Sequence, residues 1–291
     1  MSREAAFIAA LRGLATHPAA RGLADDCAVL DLGSETLVVT HDAMAEGIHF
    51  LPGQDPADVA WKLVASNLSD LAAKGAEPLG VMLGYQFGVD DARFVEGLGE
   101  ALAHYGVPLL GGDTIGAAGA QVLGLTALGR ATHRPVPARG GAQIGDALWI
   151  TGPVGAAMLG FEALGGSTGA DSTAFRRPSA LLAEGQALAP AVSAMMDVSD
   201  GLLLDASRMA RASGVTFAID SAAVPIAVPE MRRADALRWG EDYQLLFTLT
   251  AGAQPSVTAF RIGVATASGA APIILDGRPL DEEGNLGYEH G

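Results

Sequence analysis

The chain has one cysteine, Cys27, and two lysines, Lys62 and Lys74, among 291 residues. A single thiol excludes an intrachain disulfide and every multi-cysteine zinc site. With lysine this scarce, an anionic ligand must be held by arginine, by backbone N–H groups or through bridging cations. Positive charge is short altogether. Eighteen Lys and Arg against 33 Asp and Glu leave a formal net charge of -15, which opposes nonspecific binding to nucleic acid or anionic membrane. No apolar run approaches membrane-spanning length. At the N-terminus, Phe7, Ala10, Leu11 and Leu14 fall at helical spacing, which predicts an amphipathic helix rather than a signal peptide. These absences predict a cytoplasmic protein. Also missing are GxxxxGK[ST], G-x-S-x-G and any His-x-x-x-His pair, so Walker-type nucleotide binding, an α/β-hydrolase nucleophile and a histidine zinc site have no support.

What is present is a chain 49% hydrophobic, long enough for two cores. TLVVT at 36–40 reads as a strand, 56–74 as a helix ended by Gly75, 79–87 as a strand, 90–104 as a helix and 122–128 as a strand. Residues 130–146 are rich in Pro, Gly and Arg without apolar periodicity, the natural junction. Beyond it, helices are expected near 155–164, 179–188 and 202–212, and strands at 147–152, 194–197, 215–219, 243–249, 261–265 and 272–275. Strands and helices alternate in both halves without the tight repeats of a doubly wound sheet. The expectation is α+β, two domains, with boundaries 1–135 and 136–291.

The acidic series Asp25, Asp26, Asp42, Asp70, Asp113, Asp197 and Asp200 sits at strand ends, turns and polar helix faces. Aspartate is a favoured cap and turn residue, so any one of them has a purely structural reading. Together they offer the hard oxygen ligands that magnesium prefers. Asp70 shares a helix face with Ser66, Asn67 and Lys74, which allows either a surface pair with Lys74 or a polar cleft. GGDT at 111–114 reads as a turn whose glycines admit a ligand close to the backbone. In GEDYQLLF, at 240–247, Glu241 precedes an apolar strand and has the chemistry to accept hydrogen bonds from a substrate amine. His49 has both a structural and a ligand-binding reading.

In order along the chain, DDCAVL, THDAMAEGIHF, WKLVASNLSDLAAKGAEP, GGDT, GRATHRPVPARGGAQIGDALWITG, RRPSALLAEGQAL, MDVSDGLLLD and GEDYQLLF resemble the thiamine-monophosphate kinase family. That family belongs to the superfamily of aminoimidazole ribonucleotide synthetase and selenophosphate synthetase. DGRPLDEEGNLGYEH near the C-terminus is a weaker echo. The resemblance implies an N-terminal domain that contributes to a dimeric β-barrel with flanking helices, and a C-terminal α+β domain with a mixed sheet. ATP lies in the cleft between them as co-substrate. Several magnesium ions are implied on Asp26, Thr40, His41, Asp42, Asp70, Asp113, Asp197 and Asp200, with potassium a further ion the family allows. Gly112, Asp113, Arg139 and Ser199 are implied as ATP contacts, and His49, Glu241 and Tyr288 as contacts to thiamine monophosphate. Ala24 and Trp239 stand where glycines are usual, and His41 replaces a small hydroxyl residue.

The implied reaction is in-line transfer of a phosphoryl group from ATP to thiamine monophosphate. A phosphate nucleophile is already ionised at neutral pH, so no catalytic base is required. Another ATP-dependent synthetase of the superfamily, or a non-catalytic nucleotide- or metal-binding homodimer, would use many of the same residues. The loop at 165–173 is a candidate for closure over substrate.

Overall fold

The segment ETLVVTHDAMA turns Thr36, Val38, Thr40 and Met44 to one buried side, the period-2 pattern of a strand with one face on a core. The computed structural model describes residues 3–166, 171–280 and 286–288. Its first half runs α1 (Arg3–Leu11), β1 (Ala28–Leu32), β2 (Glu35–Ala45), α2 (Pro56–Ala73), β3 (Ala76–Gln86), α3 (Asp91–Tyr105), β4 (Leu109–Ile115) and β5 (Val122–Ala131). The sheet order is β1-β2-β5-β3-β4, antiparallel except for the parallel pair β3 and β4.

The second half follows a strand-free connection over 132–146. It holds β6 (Ala147–Ile150), α4 (Ala156–Leu164), α5 (Thr173–Arg176), α6 (Leu182–Leu188), β7 (Ala194–Asp197), α7 (Leu202–Ser213), β8 (Val215–Ile219), α8 (Arg233–Ala236), β9 (Leu245–Leu249), β10 (Phe260–Ala267), β11 (Ile273–Leu275) and β12 (Arg278–Leu280). The seven strands order as β12-β11-β8-β10-β6-β9-β7, with only β8 and β11 parallel. This is a two-domain α+β fold with two mixed sheets, each with its own apolar core. A third apolar cluster joins Ala72 and Ala73 of α2 to Trp149, Met195 and Phe247 of the second sheet.

Helix α2 is buried on nearly every side. Asp55 caps it by accepting from Ala57 N at 3.0 Å, Pro56 opens it, and Gly75 follows it at φ 59. Small residues allow close neighbours: a Cβ on Gly185 of α6 would run into the backbone of Ala72. One result is that polar side chains on α2 face protein rather than water.

Several expectations are corrected. GGDT is not a turn; it lies within the exposed edge strand β4, hydrogen-bonded to β3. A Cβ on Gly112 would collide with the Leu83 carbonyl oxygen, so the glycine serves close strand approach. Strands β1 and β12 and the short α5 were not anticipated, because their runs are too short for periodicity to register. Helix α1 forms but ends at Leu11, short of Leu14, and both Phe7 on it and Leu14 beyond it are exposed. The five-stranded sheet is open, and no barrel closes among the described residues. Residues 167–170 of the candidate closing loop, and 281–285 and 289–290 of the C-terminal echo, lie outside the described residues.

Candidate active site

The site grows from one polar stripe on α2. Asn67 Oδ1 accepts from Asp42 N at 3.0 Å, and Asp70 Oδ2 accepts from the Thr40 hydroxyl. Asn67, Asp70 and Lys74 stand three and four residues apart, so they share the helix face that looks at the end of β2. Thr40 and Asp42, two apart on β2, point to that same face. From the other domain, Asp197 at the end of β7 accepts from the Ser69 hydroxyl at 2.6 Å. One carboxylate oxygen each from Asp26, Asp70 and Asp197 can be chosen so that all lie within 4.8 Å of one another. Two residues of this trio come from the first domain and one from the second.

The acidic groups divide by how their charge is met. Burial alone would raise Asp25 and Asp26, but Lys74, Arg139 and Arg21 outweigh it and hold both below the usual carboxylate range. Lys74 Nζ lies 2.5 Å from Asp25 Oδ1 and 2.8 Å from Asp26 Oδ2, and Arg139 Nη2 pairs with Asp26 Oδ1. Asp42, Asp70 and Asp197 have no such partner among the described residues. Burial first, and then neighbouring carboxylates, push Asp42 up to about 6, Asp197 up to about 8 and Asp70 well above its ordinary value. Like charges this close cannot all ionise without a cation. The chemistry of this donor set fits magnesium, with all-oxygen carboxylate ligands and hydroxyl support from Thr40 and Ser69.

A pH dependence follows. Carboxyl groups raised in the folded state favour folding when protonated, and that contribution is lost as pH rises through their folded values. Metal-free protein is therefore expected to lose stability from about pH 4, the unfolded aspartate range, to about pH 8, where Asp197 titrates. Magnesium should raise the melting temperature more at about pH 8 than at about pH 5. Equal shifts at both pH values in a thermal-melt series would contradict this assignment of uncompensated charge.

The second domain supplies the turn VSDG at 198–201. Asp205, fully buried in the first turn of α7, accepts from Ser199 N at 3.0 Å and Asp200 N at 2.9 Å. Arg208 reaches both Asp200 and Asp205. Gly201, at φ 112, lets the chain pass against Arg238, whose carbonyl oxygen would lie 2.5 Å from an added Cβ. Glu241, at φ 67, donates its N–H to Ser199 O at 2.7 Å, and its carboxylate meets Lys62 Nζ at 2.7 Å. Lys62 also donates to His49 O at 2.8 Å and lies 3.5 Å above the Phe175 ring. The next residue, Asp242, accepts from Gly155 N at 2.6 Å and Ala157 N at 3.1 Å, tying this loop to the start of α4. Tyr288 N donates to Asp200 O at 2.9 Å, which brings the C-terminal segment beside the turn.

Not every sequence candidate joins the trio. Asp113 is exposed on β4 beside Gly112, its Oδ1 accepting from Thr114 N. The His41 imidazole faces the other side of the sheet, 2.9 Å from Thr126 Oγ1, so only its main chain faces the site. Arg139 is engaged with Asp26, while its Nε is buried without a partner, a donor left for another acceptor. Lys74 does not pair with Asp70 on a surface; it is fully buried against Asp25 and Asp26. Lys62, Ser69 and Asp205 were missed. A lysine inside the apolar run VAWKLVA was the available signal for the buried ion pair of Lys62.

Two mixed-sheet α+β domains thus bring carboxylates from both together, and both halves match the AIR synthase related family. The model for its N-terminal domain matches residues 24–131, and that for its C-terminal domain matches 143–271. Within that class, thiamine-monophosphate kinase of Salmonella typhimurium is 37% identical over 253 residues, 78% of this chain and 76% of that protein. The same enzyme of Caulobacter vibrioides is 36% identical over 295 residues, covering 94% and 82%. The chain belongs to the thiamine-monophosphate kinase family. Among solved structures, AaThiL complexed with AMPPCP and TMP matches with TM-score 0.85 at 26% identity, over 97% of this chain and 96% of that one. Hydrogenase maturation protein HypE in complex with ATP shares the fold, with TM-score 0.70 at 23% identity over 91% and 88% of the two chains.

Proposed function

We propose that this protein phosphorylates thiamine monophosphate, transferring the γ-phosphoryl group of ATP to give thiamine diphosphate and ADP. The observation that carries the reading is the cluster of carboxylates contributed by both domains, in which Asp70 and Asp197 have no cationic side-chain partner among the described residues. Family membership supplies the substrates, consistent with the AMPPCP and TMP of the matched complex.

Magnesium, when bound, neutralises the phosphates and the charge that spreads over the transferred group. Asp26, Asp42, Asp70, Asp197 and Asp200 are its proposed holders, with Thr40, the His41 main chain and Asp113 completing the set. Gly112 offers ATP an approach unobstructed by a side chain, and Ser199 and Asp113 offer polar contacts. Arg139 directs its unpartnered Nε to an anionic oxygen. His49, Glu241 and Tyr288 are proposed to orient thiamine monophosphate, Glu241 accepting from its amine. An ionised phosphate oxygen of the acceptor forms the new P–O bond as the bond to ADP breaks, so no side chain has to remove a proton. The test is incubation with ATP, magnesium and thiamine monophosphate: thiamine diphosphate is the expected product, and ATP binding without transfer would favour a non-catalytic nucleotide-binding protein.

We also propose that the domains divide near residue 135 and that the first sheet pairs with that of a second copy. Met82, Leu109, Leu110 and Ile115 are exposed on or beside the edge strand β4, on a sheet whose other face packs on α2. Apolar exposure along an unpaired edge is a surface proteins normally cover. Leu110→Glu is expected to convert a dimer to monomers in sedimentation, with circular dichroism unchanged. A wild-type chain that sediments as a monomer at micromolar concentration would end this proposal.

A further inference from the structure

Lys74 is the C-cap residue of α2, and its side chain is entirely buried. Ammonium groups are rarely removed from water without full compensation. Here three acceptors surround Nζ: Asp25 Oδ1 at 2.5 Å, Asp26 Oδ2 at 2.8 Å and Met195 O at 3.4 Å. Two carboxylates and a main-chain carbonyl are the hard-oxygen set that a small cation takes. All three hydrogens of the ammonium have an acceptor. The same Asp25 Oδ1 also accepts from Asp26 N at 2.9 Å and Arg139 N at 3.3 Å, and Asp25 Oδ2 accepts from Arg21 Nη1 at 2.5 Å. Arg21 continues to Pro137 O and Val136 O, in the connection between the domains.

We propose that Lys74 is a protein-borne cation that occupies the position between Asp25 and Asp26, holding Asp26 in place beside Asp70 and Asp197 before any metal binds. It is a positioning residue, acting through Asp26 rather than on substrate. Two consequences follow. The Asp25–Asp26 segment is ordered in metal-free protein, and the acidic cleft takes one cation fewer than its carboxylates would otherwise draw. The inference rests on the reading of the Asp70 and Asp197 cleft as a divalent-cation site.

The test uses the full chain and counts bound Mn2+ by electron paramagnetic resonance, without ATP or turnover. Lys74→Met leaves the carboxylate pair short of one charge and is expected to bind one additional Mn2+ per chain. The charge-balanced pair Lys74→Met with Asp25→Asn should return to the wild-type count. A folded Lys74→Met protein with an unchanged count would overturn the proposal. Amide exchange on metal-free wild type decides independently of any variant's folding. The Asp26 and Arg139 N–H groups, both donors to Asp25, should exchange at least about 100-fold slower than unprotected amides in EDTA. Free exchange that slows only when magnesium is added would overturn it. A wild-type chain that binds no Mn2+, with these amides still protected, would remove the divalent-site reading and leave Lys74 as the holder of Asp26.

Discussion

Replacing Asp197 with asparagine is expected to lower kcat by about 10²- to 10³-fold, because it weakens the hold on the magnesium whose charge would stabilise the transition state. The same variant should be more stable than wild type when metal is absent at about pH 8. Asp197 is buried and raised to about 8. Folding wild-type protein there costs either a proton uptake or an uncompensated charge, on the order of a few kcal/mol. Asparagine removes that cost while its amide oxygen still accepts from Ser69, as the carboxylate does at 2.6 Å. Lower activity with higher metal-free stability is a signature that a packing residue would not give. Loss of both together, in kinetics and EDTA melts, would assign Asp197 a structural role instead.

The second large effect is expected at Lys62. Its side chain is 1% exposed, and its ammonium is paired with Glu241, the His49 carbonyl and the Phe175 ring. Phe175 in turn meets Phe161, which packs on Trp239, so the ion pair is backed by an aromatic cluster. Lys62→Met leaves the Glu241 carboxylate without its cation. Breaking a buried pair from one side costs about 3–5 kcal/mol, and replacing both partners with apolar residues recovers much of it. Urea unfolding should therefore show Lys62→Met well below wild type and the double variant with Glu241→Met between them. In kinetics, KM for thiamine monophosphate should rise more than KM for ATP, since Lys62 fixes both His49 and Glu241. Equal rises would remove these residues from the acceptor side of the cleft.

Asp197 alone had an ordinary cap or turn reading, and it became a site candidate only through the resemblance carried by MDVSDGLLLD. Asp70 was legible as a cleft residue only in outline, since the i,i+4 spacing to Lys74 suggested an equally simple surface pair. Neither reading of Lys74 was complete: burial of α2 on all sides is a tertiary fact, and it turned the lysine toward Asp25 and Asp26. GGDT misled because Gly-Gly-Asp has turn chemistry locally, while pairing with β3 made it a strand. His41 shows the opposite limit. A strand sends adjacent side chains to opposite faces, so Asp42 turns toward α2 while the imidazole beside it faces Thr126. The two-domain α+β architecture was legible because it rests on the long composition shift at 130–146 rather than on single residues.

The most direct test supplies ATP labelled in its γ-phosphate, magnesium and thiamine monophosphate, and follows the label. It should enter the β-phosphate of thiamine diphosphate, one per ADP formed, with none on the protein. Label recovered as a competent phosphoprotein would contradict direct transfer, and ADP formed without thiamine diphosphate would contradict the proposed function itself.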